Sequence, residues 1–236
     1  MNLSKTTLDT LANFASINQN LVFCSNVLRT RTESKSVVAV CNIEENFPYD
    51  FGIYDLGDFL RSLKLVGETP RLSFDSNEKY VTMQGENASV KYFFSNKNHL
   101  TTPEKEKINL IENAMASTKD KNVNLVLTAE DLTKIRSASS VLKVPFLVIE
   151  GQPGSVPSYK VLDINDPTSN VFTLQITGSP VDQKFSIVFS IANLALLEKN
   201  DYNVEISPNQ IAKLVSTTSN NGLFYFVAVE QTSKFG

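Results

Sequence analysis

The sequence contains no tryptophan, two cysteines and one histidine in 236 residues. This set is too small for any zinc site of known ligand spacing, so we expect no bound metal. Cys24 and Cys41 fall in predicted strands, where cysteines of an intracellular protein are typically buried, reduced thiols rather than a disulfide. His99 lies in a polar stretch, which indicates a surface residue rather than a catalyst.

Glycine is also scarce, with 9 residues, and the glycine-containing motifs of common enzymes are missing. The sequence has no P-loop, no dinucleotide-binding glycine pattern and no G-x-S-x-G turn. Carboxylates do occur in pairs, Glu44 with Glu45 and Glu130 with Asp131. Adjacent side chains point apart, so these pairs suit solvation and helix starts better than acid–base catalysis. We predict a protein that is not an enzyme and has no cofactor.

Long apolar runs are absent as well. No stretch approaches the roughly 18 apolar residues of a membrane-spanning helix, so no membrane partner is expected. The opening residues, MNLSKTTLDT, lack the basic flank and apolar core of a secretory signal. The 42% of hydrophobic residues suffices for a buried core, and the length suits two domains of about 110 residues each.

Positive charge is not in excess, since the formal net charge is −3 and the isoelectric point is near 5.3. This argues against a protein that wraps nucleic acid around a basic exterior. It does not exclude a few cations concentrated on one surface, because the local field depends on how the charge is distributed. Binding through such a surface would be weak and strongly salt-dependent.

The most informative feature that is present is an order of elements that occurs twice. Each half has a capped amphipathic helix, then β-rich sequence, then a second helix; the helices are predicted at 4–17 and 54–66, and at 128–144 and 190–199. Ser4 is a suitable N-cap, and Thr128 with Asp131 resembles a capping box. The repetition predicts two similar domains.

Apolar segments between these helices predict antiparallel strands, and therefore an α+β fold. In the first half the strands lie at 21–24, 27–32, 37–43, 71–74, 80–84 and 89–94. In the second half they lie at 123–127, 146–150, 159–162, 171–177, 185–189, 204–207, 211–216 and 223–230.

A change of composition at Asn96 separates the two halves. The stretch up to Asn122 is dense in lysine, glutamate and asparagine. It is consistent with a linker, and also with a solvated helix that has Pro103 at its first position. We predict an N-terminal domain at 1–97, a connector at 98–122 and a C-terminal domain at 123–236.

Basic residues recur on the predicted helices, away from their apolar stripes: Lys5, Arg61, Lys64, Lys134, Arg136, Lys143 and Lys199. On any one amphipathic helix, such residues are usually no more than a solvated face. Cations on all four helices of an acidic chain instead favour a shared basic surface.

The sequence resembles the DNA polymerase sliding clamps of T-even-type bacteriophages and related cyanophages. The resemblance spans the chain and is strongest over the first 66 residues or so. The matching positions are Met1, Leu3, Ser4 and Lys5, then 13–15, 17–18, 53–56, 59–60, 65–66, 129–132 and 192–193.

The resemblance implies a DNA clamp fold with two similar domains, antiparallel sheets outside and four helices on the inner face. It implies a ring-shaped homotrimer that encircles double-stranded DNA without reading its sequence. The ring would tether the replicative DNA polymerase for processive viral DNA replication in the host cell cytoplasm, after loading by an ATP-dependent clamp loader. Late-transcription factors are further implied partners, and the seven helix cations would face DNA.

The clamp fold also implies two protein-binding surfaces. Neighbouring subunits would meet through edge strands, with Val90, Tyr92 and Phe94 of one facing Phe172, Leu174 and Ile176 of the next. A groove for partner peptides would be formed by Val38, Ile108, Leu110, Phe226 and Ala228. Val38 and Phe226 are equally consistent with core side chains.

Two alternatives belong to other classes of protein. A β-rich virion structural protein would explain the strands but not the repeated basic helices. A single-stranded nucleic-acid binder would need aromatic residues beside cations on one strand face, for which Lys91 with Tyr92, Phe93 and Phe94 is the only indication.

Overall fold

The computed structural model describes residues 1–175 and 179–236 and divides the chain into two compact units. Unit 1 comprises residues 1–104 with 221–223, and unit 2 comprises residues 105–220 with 224–236. The strand pairs given below are antiparallel. Together with the helices they confirm the α+β fold with antiparallel sheets.

Unit 1 contains two α-helices, α1 (Lys5–Ile17) and α2 (Leu56–Val66). Its strands are β1 (Leu21–Phe23), β2 (Val27–Arg31), β3 (Val37–Asn42), β4 (Phe51–Ile53), β5 (Arg71–Phe74), β6 (Tyr80–Gln84) and β7 (Ser89–Phe93). β1 pairs with β4, β2 pairs with β3, and β5, β6 and β7 form a three-stranded sheet.

Both helices of unit 1 begin at residues that satisfy their free backbone N–H groups. The Ser4 hydroxyl accepts from the Thr7 amide, and the Asp55 carboxylate accepts from the Asp58 amide at 2.7 Å. The buried Glu45 carboxylate adds a second cap on α1, because it accepts from the Ser4 amide at 2.5 Å and the Thr7 hydroxyl at 2.6 Å. Helix α1 is thereby fixed to the loop after β3.

Unit 2 contains α3 (Lys105–Ala116), α4 (Ala129–Leu142) and α5 (Ile191–Leu194). Its strands are β8 (Val123–Leu127), β9 (Phe146–Gly151), β10 (Ser158–Leu162), β11 (Phe172–Gln175), β12 (Phe185–Ser190), β13 (Tyr202–Ser207), β14 (Ile211–Ser216), β15 (Phe224–Ala228) and β16 (Lys234–Phe235). One sheet has the order β11-β10-β9-β12-β16, and in the other β15, β14, β13 and β8 are successive neighbours.

The helix predictions at 4–17, 54–66 and 128–144 agree with α1, α2 and α4 to within about two residues at each end. Within the predicted connector, α3 forms and begins at Lys105 rather than at Pro103. The fourth predicted helix, 190–199, is wrong in length, because α5 is a single turn. After it, the Leu196 and Leu197 amides bond to carbonyls three residues back, so the chain turns instead of continuing the helix.

The structure also bears on the predictions for the two cysteines and the histidine. Cys24 and Cys41 are free thiols, and Cys41 is buried. Partial burial raises the pKa of the Cys24 thiol. His99 is exposed. None of the described helices is long and apolar enough to cross a membrane, and the described residues contain no group of three or more side chains suited to a metal ion.

Candidate nucleic-acid interface

The two helices of unit 1 separate apolar and basic faces. Leu11 and Phe14 of α1 and Phe59 and Leu63 of α2 are buried in the unit. This packing follows from the apolar spacing of three and four residues along each helix. The opposite faces carry Lys5, Arg61 and Lys64, which are all exposed.

A cleft of about 510 Å³ separates α1 from α2 and brings two of the predicted cations together. Lys5 lines one wall and Lys64 lines the other, with Asp9 beside Lys5. Arg61 lies one turn before Lys64 and forms an exposed ion pair with Asp58 at 2.5 Å. The hydrogen bond to Asp58 raises the pKa of Arg61. An exposed pair of this kind contributes little to stability, so Arg61 can exchange Asp58 for a phosphate group.

The cations predicted to face DNA in unit 2 lie on α4, at its C-cap and on the turn after α5. Lys134 forms an exposed ion pair with Glu130 at 2.6 Å, which raises the pKa of Lys134 and lowers that of Glu130. Lys143 is the C-cap of α4 and takes the left-handed conformation, with φ 56° and ψ 42°. Lys199 is exposed after α5. Among the described residues, Lys143 and Lys199 form no ion pair, so both charges are available to an anion.

Arg136 has a different environment from the other predicted DNA-facing cations. It is partly buried, and its Nη2 donates to the carbonyl oxygens of Leu194 at 2.5 Å and Leu197 at 2.8 Å. Burial lowers the pKa of Arg136, although a guanidinium stays charged at neutral pH. The structure thus gives Arg136 intramolecular partners where the sequence led us to expect a phosphate contact.

The strands predicted to form the subunit interface lie at sheet edges among the described residues. β7 pairs only with β6, and β11 pairs only with β10. Along both strands burial alternates, so that Val90 and Tyr92 of β7 and Phe172 and Leu174 of β11 are half-buried while their neighbours are exposed.

Two further residues were predicted for this interface. Phe94 follows β7 and is half-buried, and it stacks on Phe51 with ring centroids 4.6 Å apart. Ile176 lies outside the described residues. Tyr92 also has partners inside unit 1, because its ring meets Phe59 edge-on and its hydroxyl donates to the Asp55 carbonyl at 3.1 Å.

The residues predicted for the peptide groove differ in exposure. In unit 2, Ile108 of α3 and Phe226 of β15 are buried, Ala228 is half-buried, and Leu110 of α3 is 63% exposed. In unit 1, Val38 of β3 is buried. Of this set, Leu110 is the side chain that is open to solvent.

The sequence analysis did not identify the residues that hold α3 on unit 2. Lys213 of β14 pairs with Glu112 of α3 at 2.6 Å, and its ammonium lies 4.8 Å from the centre of the Phe224 ring. Near the end of α3, the Asn209 amide donates to the Ala114 carbonyl at 2.9 Å. The sequence did offer one signal, which is Lys213 in the middle of an alternating strand. A charged side chain in such a strand must point away from the core.

Comparisons with known proteins agree with this fold. Residues 3–101 match the family model described as DNA polymerase processivity factor. The sliding clamp of Vibrio phage KVP40 is 28% identical over 232 residues, which is 98% of this chain and 99% of that protein. The sliding clamp of Escherichia phage RB69 is 27% identical over 205 residues, or 85% of each chain.

A solved structure with the same architecture is the proliferating cellular nuclear antigen of Entamoeba histolytica. It matches with a TM-score of 0.67 over 97% of each chain, and at 12% identity the likeness concerns the fold. The clamp fold expected from the sequence is confirmed. The chain is thus similar to the DNA polymerase processivity factors over residues 3–101, and to the sliding clamps of Vibrio phage KVP40, Escherichia phage RB69 and Enterobacteria phage T4 over most of its length.

Proposed function

We propose that this protein is a non-enzymatic sliding clamp that encircles duplex DNA and tethers the replicative DNA polymerase inside the infected host cell. The observation that carries the proposal is the match to a phage sliding clamp over 98% of the chain. The exposed cations of α1, α2 and α4 and of the turn after α5 support it, because they concentrate positive charge on the helices of a chain with net charge −3.

These cations suit a protein that must hold DNA and still slide along it. Lysine and arginine side chains attract phosphates of any sequence, and contacts with phosphates carry no base information. Lys5, Lys64, Lys143 and Lys199 are exposed, and Arg61 and Lys134 are held by exposed pairs that break at little cost. We assign these six residues to the DNA-facing surface and leave Arg136 out of it.

The assembly that the proposal requires is a head-to-tail homotrimer. Unpaired strand edges are prone to association, and a ring that closes removes them. β7 of one subunit would pair with β11 of the next. The alternation of burial would then place Val90 and Tyr92 on the same side of the joined sheet as Phe172 and Leu174.

Partner proteins would dock through short peptides on the surface that carries α3. Leu110 is the exposed apolar anchor there, and Ile108, Phe226 and Ala228 of the same unit are the further apolar residues assigned to it. We assign this surface to the polymerase, to an ATP-dependent clamp loader and to late-transcription factors. A peptide contact tethers the polymerase by raising its effective concentration at the primer end.

The proposal is tested by primer extension with the polymerase and clamp loader of the same phage, under conditions of a single polymerase encounter. We expect much longer products when this protein, the loader and ATP are all present. The Leu110→Ser variant should lose the effect, and Leu65→Ser, which replaces a still more exposed leucine on α2, should retain it. Product lengths that do not depend on the protein would contradict the proposal.

A further inference from the structure

The turn after α5 is held by side chains that belong to other elements. Helix α5 contains four residues, and a helix that short is not stable through its own hydrogen bonds. Within this turn the Leu194 carbonyl accepts from the Leu197 amide at 3.3 Å and the Glu198 carbonyl accepts from the Asn200 amide at 3.0 Å, and further partners come from other elements. These partners come from α4, β13 and β15.

Arg136 of α4 supplies the first set of partners. Its Nη2 lies 2.5 Å from the Leu194 oxygen and 2.8 Å from the Leu197 oxygen, so one nitrogen bridges the end of α5 and the next turn. A cation also suits the negative end of a helical turn. Because the guanidinium is partly buried, water competes only weakly for these two carbonyls.

Two buried tyrosines supply the remaining contacts. The Tyr202 hydroxyl donates to the Glu198 carbonyl at 2.7 Å, and the Glu198 amide donates to the Tyr225 hydroxyl at 3.3 Å. Both tyrosine side chains are fully buried, so neither can reach a DNA backbone. Lys199 follows Glu198 directly and is exposed.

We propose that Arg136 is a positioning residue that fixes the turn at 194–198 so that Lys199 is presented to the DNA backbone. This inference rests on the proposed sliding-clamp function. In unit 1 Lys5, Arg61 and Lys64 lie on helices of 13 and 11 residues, which do not need side chains of other elements to hold them in place. In unit 2 the two hydrogen bonds from Arg136 hold the turn that a longer α5 would have stabilised.

The energetic reason is the ordering cost of binding. A lysine on a loose segment loses backbone as well as side-chain freedom when it binds a phosphate. A lysine on a fixed turn loses side-chain freedom alone. Arg136 therefore strengthens the contact made by Lys199 while its own Nη2 remains on the Leu194 and Leu197 carbonyls.

The first test is amide hydrogen exchange of the full chain. In Arg136→Met we expect exchange at 194–200 to accelerate by roughly tenfold, because the carbonyls lose a charged donor, while α1 and α2 keep their rates. Arg61→Met is the matched control, because the ion-pair partner of Arg61 among the described residues is the exposed Asp58 carboxylate. Unchanged exchange at 194–200 would show that Arg136 does not fix this turn, and would overturn the proposal.

The second test is a double-mutant cycle on affinity for a short, fluorescein-labelled linear duplex at low salt. Lys199→Gln should weaken binding by the intact protein and have a clearly smaller effect in the Arg136→Met background. If the effects of the two substitutions on affinity are additive, the proposal is overturned, and Arg136 is assigned to the residues that contact phosphate. If the unsubstituted protein fails to bind this duplex even at low salt, the presentation of Lys199 to DNA is contradicted, while hydrogen exchange still tests whether Arg136 holds the turn and primer extension still tests the proposed function.

Two milder variants guard against a general loss of folding. Arg136→Lys keeps a cation that can reach one of the two carbonyls, and it should restore part of the coupling to Lys199. Tyr202→Phe removes the hydroxyl that holds Glu198 and should reduce duplex affinity, although its side chain stays buried. Unaltered affinity in Tyr202→Phe, with faster exchange at 198–200, would contradict the link between the turn and DNA binding.

Discussion

At the residue scale, the cations of the helix faces differ in how firmly they are held. Lys143 and Lys199 are exposed without an ion pair among the described residues, Arg61 and Lys134 have exposed carboxylate partners, and Arg136 is bound to backbone. The sequence predicts these five residues as one class, because helical spacing shows which side of a helix a residue occupies. It cannot show that the Leu194 and Leu197 carbonyls of a neighbouring turn lie within hydrogen-bond reach of one of them.

The first residue-scale prediction concerns α2. Replacing both Arg61 and Lys64 with glutamate should leave the free energy of unfolding nearly unchanged, because both side chains are exposed. It should shorten retention on DNA, and the dependence of log affinity on log salt should weaken by about 0.9 for each phosphate that the variant no longer neutralises. Glutamate at both Lys119 and Lys121, which are exposed after α3, is the matched change and should retain DNA normally. Equally short retention in the two double variants would contradict the assignment of α2 to the DNA face.

The second residue-scale prediction concerns the buried cap on α1. Glu45→Gln should lower the free energy of unfolding by about 1–3 kcal/mol, because the Ser4 amide and the Thr7 hydroxyl donate to different carboxylate oxygens and glutamine replaces one of these two acceptors with an NH2 donor. Urea denaturation at neutral pH measures the change. Glu44→Gln is the control, since Glu44 is exposed, and it should have almost no effect. A similar destabilisation in both variants would mean that the second cap contributes nothing specific.

At the element scale, the sequence predicted helices where local signals and tertiary packing agree. α1, α2 and α4 each have a capping side chain and apolar residues at helical spacing, and each forms close to its predicted position. The shortness of α5 is a tertiary effect, since Arg136, Tyr202 and Tyr225 bind the backbone that a longer helix would have used. β4 and β16 were missed because three and two residues are too few to show an alternating pattern.

The element-scale prediction concerns the strand edges. Leu174→Asp in β11 should convert the expected trimer into monomers at concentrations where the unsubstituted protein is assembled, because it places a charge among the apolar residues of the joined edge. Thr173→Asp is the matched control on the exposed face of the same strand and should leave assembly intact. Sedimentation equilibrium measures the mass, and circular dichroism verifies that the monomer is folded. Dissociation in Thr173→Asp alone would show that the faces of β11 are assigned the wrong way round.

At the scale of the whole molecule, the protein combines a net charge of −3 with a few exposed cations on its helices. This distribution suits a protein that stays on DNA because it is linked around it, since so few phosphate contacts give weak binding at physiological salt. Composition predicts that DNA binding is weak, but it could not locate the cations. The order of capped helices and strands did so for the residues of α1, α2 and α4.

The central claim is that the protein is held on DNA by topology, and the most direct measurement compares its retention on circular and linear duplexes. The protein is loaded onto a nicked circular plasmid with its clamp loader and ATP, separated from free protein by gel filtration at moderate salt, and one half of the sample is then cut with a restriction enzyme. We predict that the protein remains with the closed circle and leaves the linear molecule within the time of the experiment. Equal retention on both forms would show binding through surface contacts alone, and would contradict the claim that this protein encircles DNA.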